Sequence, residues 1–177
     1  METSAWGNFY LIMSASAATL VGLLFVVLTL ASDRMPASGA KQIRLYLTPS
    51  VLQLALVLVL AAALMFPTQT RLSAAISCGS VGALGIIYAA SVVLEGLRGN
   101  ALRERSDLLQ YALLPALGYA ALVIGGVAID KPSDTHGPTI VAAGALELLA
   151  LAIRNSWSVA VSVVSLRGEK PHDRGPT

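Results

Sequence analysis

Long runs of apolar residues, each about the length of a bilayer crossing, alternate in this chain with short polar connections that hold nearly all its charge. Five such runs stand out, at about residues 7–31, 46–66, 72–97, 108–129 and 138–166. A hydrocarbon core of about 30 Å takes roughly 20 helical residues, so each run is long enough to cross it. Lipid offers no hydrogen bonds, which leaves helices or a closed barrel as the only spanning structures. The runs lack alternation at strand length and are too long for barrel strands. The expectation is an all-α fold: a polytopic membrane protein built as a five-transmembrane-helix bundle.

The run ends carry helix signals. Thr48-Pro49 suits a cap followed by proline at the first helical position of the second span, and Pro67 closes that span. Ser106 and Asp107 suit a cap and an acidic first turn for the fourth span, and Pro138 opens the fifth. The first run follows Met1-Glu2 with no Lys or Arg before Arg34, whereas a secretory signal opens on a basic stretch, so it reads as a retained span.

Charge then orients the bundle. The stretch before the first span has no Lys or Arg. The first connection has Arg34, Lys41 and Arg44, the second Arg71, the third Arg98, Arg103 and Arg105. The fourth has Lys131 and the tail has Arg167, Lys170 and Arg174; Arg154, inside the fifth run, completes the set. The alternation 0/3/1/3/1/3 places nine cationic side chains on one side and two on the other. By the positive-inside rule the N-terminus lies outside and the C-terminus is cytoplasmic. Residues 1–166 read as a single transmembrane domain, and 167–177, charged and rich in Pro and Gly, as a disordered cytoplasmic tail.

Composition agrees with this pattern and excludes several function classes. Of 177 residues, 55% are apolar and 12% charged, about half the charge a soluble domain carries. The net charge of +2 comes with no basic, aromatic-interleaved stretch, which argues against nucleic acid as a partner. Cys78 is the sole cysteine, so neither an internal disulfide nor a zinc ribbon is expected. His136 and His172 lie outside the runs, which leaves no intramembrane haem pair, HExxH zinc site or Ser-His base. No aspartate lies within any span and no phosphate-binding glycine loop occurs. The expectation is a protein that is not an enzyme and holds no cofactor or metal.

Polar side chains inside the runs are the candidates for function. They are Gln53, Glu95, Glu147, Arg154 and Asn155. A charge at mid-bilayer costs roughly 2.5–3.5 kcal/mol on insertion scales, so such residues mark pairs or pathways. Gln53, Glu95, Arg154 and Asn155 are placed to converge toward the cytoplasmic side, with Glu95 and Arg154 as a buried pair. Glu147 precedes Arg154 by two helical turns, so the two share a face about 10 Å apart along the axis. Small residues at helical spacing point to close helix packing or self-association: Ser14, Ala18 and Gly22; Ala75, Cys78, Gly79 and Gly82; Ala121 and Gly125.

Two segments carry a resemblance. Trp6, Phe9 and Tyr10 precede Ser14-Ala15-Ser16-Ala17-Ala18-Thr19-Leu20-Val21-Gly22-Leu23-Leu24-Phe25-Val26, with Arg34 after it, and Arg154-Asn155-Ser156-Trp157 comes near the end. Together they resemble a group of small bacterial multi-pass inner-membrane proteins of unassigned function, some labelled modulators of a membrane AAA protease. The resemblance implies a bacterial inner-membrane location and brings no catalytic residues. The function expected is a homo-oligomeric conduit or carrier for an ion or small solute, partnered by the lipid bilayer. The alternative is an accessory or regulatory subunit docking on a larger membrane complex such as a membrane protease.

Overall fold

The computed structural model describes residues 3–32, 37–98, 113–131 and 136–165. Among them the chain is helical apart from the connections. In order the helices are α1 (Thr3–Ser32), α2 (Ala37–Leu64), α3 (Arg71–Arg98), α4 (Leu114–Asp130) and α5 (Gly137–Ser165). Three contain segments long and apolar enough to cross a membrane: Trp6–Val27, Arg71–Ser91 and Gly137–Ser158. The apolar stretches Ser50–Leu64 and Leu114–Asp130 are shorter.

The helix starts follow local chemistry, and one departs from expectation. Helix α2 does not begin at Thr48-Pro49 but runs unbroken from Ala37, so Pro49 lies in its interior. Proline removes one backbone donor there. The preceding stretch from Ala40 to Leu47 is rich in good helix formers, which carries the helix back past it. Lys41 and Arg44 therefore stand on a helix rather than in a loop. Helix α2 stops at Leu64, three residues before Pro67. Helix α3 opens on a reciprocal cap: Thr70 Oγ1 accepts the Ser73 N–H at 3.1 Å, and Ser73 Oγ accepts the Thr70 N–H at 2.8 Å. Ser106, Asp107 and the tail after Ser165 lie outside the described residues.

Packing order differs from chain order. Helix α4 is held between α3 and α5, α5 also packs on α2, and α2 on α1, while α2 and α3 touch less. Backbones approach closest around α4. A Cβ on Gly82 would stand 2.8 Å from the Tyr119 carbonyl oxygen, and one on Gly125 2.9 Å from the Val141 nitrogen. Gly126 meets Cys78 in the same way, at 2.9 Å from its Cβ. Such contacts let helices associate by van der Waals packing where lipid supplies no hydrophobic drive. Around them Leu54, Val57, Leu122, Val141 and Leu148 form a fully buried core.

The perimeter is apolar as well. Phe25, Ile76, Ile87, Ile124 and Ile153 are all exposed, Ile87 to 66%. A water-soluble monomer rarely leaves so much contiguous apolar surface open; a lipid-facing one does so as a rule. At one end, Trp6, Leu64, Arg71, Ile129 and Pro138 line a common cleft, so the start of α1, the α2–α3 connection and the α4–α5 turn all lie together. Trp157, 72% exposed, stands nineteen residues along α5 from Pro138, about 28 Å at 1.5 Å per residue. Aromatic side chains thus flank an apolar band close to the thickness of a bilayer core.

A polar layer inside the bundle

Most hydroxyls in the helices are spent on their own backbone. Thr19 donates to the Ala15 carbonyl at 2.8 Å, Ser77 to Ser73 at 2.9 Å, and Ser156 to Ala152 at 2.6 Å. A side chain bonded back to the preceding turn is neutral to its surroundings and offers little to a ligand.

Three side chains behave otherwise. Gln53 is 3% exposed and Asn155 2%, yet among the described residues Gln53 Oε1 and Asn155 Oδ1 accept no hydrogen bond. The Tyr119 hydroxyl is equally buried and unpartnered. A buried polar atom without a partner costs about 1–3 kcal/mol, so each is a standing demand for a donor, a cation or water.

Depth groups these residues in a way that spacing along the sequence did not. Measured from residues lining the end cleft, Gln53 lies eleven residues along α2 from Leu64, about 16 Å. Tyr119 lies ten residues along α4 from Ile129, about 15 Å, and Glu147 nine along α5 from Pro138, about 14 Å. The three share one level near the middle of the apolar band. Glu147 is half-buried there beside Gly118 of α4, where a Cβ would stand 3.4 Å from its Oε2. Neighbouring Tyr119 turns to the other flank of α4 and lays its ring on Gly85 of α3. The layer is thus distributed across α2, α4 and α5 and is not a single ligand cage. Among the described residues no group of three or more His, Cys, Asp and Glu could hold a metal ion.

Arg154 and Asn155 lie deeper, about 24–26 Å from the cleft end. They part company there: Asn155 is buried, whereas Arg154 is exposed and so is not one half of a buried ion pair. The Glu95 side chain lies outside what is described. Of the small residues, Gly82 and Gly125 sit in helix contacts, whereas a Cβ on Gly22 or Gly79 would meet nothing within 4 Å. Ala18 is exposed and Ser14 half-buried, its hydroxyl donating to the Leu11 carbonyl at 3.0 Å. The buried Tyr119 was missed from sequence; its one trace there is a phenol at the centre of an apolar run, after a glycine.

No protein family, curated protein or solved structure matches this chain.

Proposed function

We propose that this chain is a non-enzymatic five-span protein of the bacterial inner membrane, N-terminus outside, working as a homo-oligomeric carrier or conduit for an ion or small solute. The observation that carries the reading is the unpartnered Gln53 Oε1 at the level of Glu147, inside a core that is mostly apolar. A bundle selected for packing alone gains nothing from a buried amide with an orphan acceptor. One that passes a solute gains polar stations at mid-membrane, where an amide oxygen or a carboxylate replaces part of a hydration shell.

Two further features support five crossings. The clustering of the α1 start, the α2–α3 connection and the α4–α5 turn at one end is what alternating helices require. These are also the segments that are poor in Lys and Arg. Helix α2, at 28 residues, extends about 42 Å and exceeds the core thickness despite its short apolar stretch.

Purified protein in liposomes should raise cation or proton flux above that of empty liposomes, and Glu147→Gln should lower it. Absence of any flux above background from mildly acidic to neutral pH would remove the carrier reading.

The second reading, an accessory subunit on a larger membrane complex, draws on α1. Its Ala18 and Gly22 face is uncovered among the described residues. Such a face accommodates the close approach of another helix. A monomer in detergent that gains stability only with a co-purifying membrane protein favours this alternative; a defined homo-oligomer favours the first.

A further inference from the structure

The cleft at the end of the bundle, some 15 Å from the polar layer, has its own chemistry. Its volume is about 370 Å³, within the range of small-molecule sites. The walls are mainly apolar and aromatic. Trp6 stacks on Tyr10 with ring centroids 6.2 Å apart and planes 29° from parallel, and Phe66 and Pro138 add further apolar wall. Among the described residues its charge is of one sign: Arg71 is the single charged residue on the lining, and no carboxylate stands there.

Gln69 supplies the second polar group. Ser73 Oγ donates to Gln69 Oε1 at 2.9 Å, which holds the amide in one orientation. The opposite atom, Gln69 Nε2, is buried and has no acceptor among the described residues. Ser73 is itself fixed by the reciprocal cap with Thr70, so the start of α3 positions both the amide and Arg71. The first residues of α3 and α5 border the cleft, so the positive ends of two helix dipoles lie at the same end as Arg71.

We propose that this cleft binds an anionic amphiphile: a phosphate or carboxylate held by Arg71, with the Gln69 amide held behind it by Ser73, on an apolar body seated against Trp6, Tyr10 and Phe66. A guanidinium suits an oxyanion because its planar N–H donors match two oxygens at once. The occupant is either the headgroup of a membrane lipid or a free solute of the same chemistry. The inference takes from the function proposed above only that this end faces outward, and its test does not depend on transport.

Trp6 is the reporter. The chain has two tryptophans, so Trp157→Phe leaves Trp6 as the sole emitter. In phosphatidylcholine nanodiscs, titration with phenyl phosphate should change Trp6 emission saturably. Arg71→Gln should weaken the apparent affinity at least about tenfold, the loss expected for a charge-assisted contact. Arg71→Lys, which keeps the charge but loses the two-donor fork, should fall between Arg71→Gln and the parent; matched thermal midpoints exclude misfolding. Gln69→Leu should weaken binding to a smaller degree. Discs containing phosphatidylglycerol then distinguish the sources. At about 1 M salt, where the surface charge of the discs is screened, a several-fold weaker phenyl phosphate response there identifies a lipid occupant, and an unchanged one a free solute. No saturable response in phosphatidylcholine, or Arg71→Gln binding as well as its parent, would overturn the assignment.

Discussion

Gly82 of α3 and Tyr119 of α4 meet backbone to backbone: a Cβ on Gly82 would stand 2.8 Å from the Tyr119 carbonyl oxygen, and the Tyr119 ring covers Gly85 one turn on. The glycines set the α3–α4 distance, and a carbonyl cannot rotate aside as a side chain can. Gly82→Ala is therefore expected to destabilise the protein by about 1–3 kcal/mol, the usual cost of overpacking. Gly22→Ala, with open space around it, should leave stability unchanged or slightly raised. Thermal unfolding in one detergent compares the two directly; equal losses would show that helix contacts are not what separates these glycines.

Cys78 is fully buried, with Gly126 of α4 packed against its Cβ. A membrane-permeant maleimide should leave the folded protein unlabelled and modify it only after denaturation, since the reagent must displace α4 to reach the sulfur. Rapid labelling of native protein would mean that α3 and α4 separate readily.

The cap at Thr70 secures the start of α3. Thr70→Ala removes the acceptor for the Ser73 N–H and should cost about 1 kcal/mol. Because Ser73 also holds Gln69, the same change should weaken anion binding in the cleft. Loss of stability with binding intact would separate the cap from the cleft.

Periodicity and length were enough to show an all-helical chain, and the ends of α3 and α5 fell within a residue of the apolar runs over 72–97 and 138–166. Helix α2 escaped because a capping signal at Thr48-Pro49 is only a preference, and the helix formers before it outweighed one missing N–H. The candidate site was harder to see. Gln53 and Glu147 stand out as polar residues in apolar surroundings, but their common level depends on which helix ends meet, and no single helix encodes that. Spacing put Glu147 and Arg154 on one face of α5 without showing that Glu147 would be half-buried beside Gly118 and Arg154 left exposed. The cleft joins residues from α1 to α5 and had no sequence signature at all.

Gln53 carries the expected opposition between stability and function. Gln53→Leu fills the same space with an apolar side chain and removes the orphan oxygen, so stability should hold or rise by about 1 kcal/mol. Transport through the mid-bundle layer should fall in the same variant. A large drop in stability would instead mean that the amide is bonded and structural.

Everything proposed for the layer and the cleft depends on how the chain crosses the bilayer. The most direct measurement is a pair of topology reporters, one fused after Thr177 and one inserted near Ser133. Five crossings with the N-terminus outside predict a C-terminal reporter active only in the cytoplasm and a Ser133 reporter active only outside. Finding both on the same side of the membrane would contradict the account.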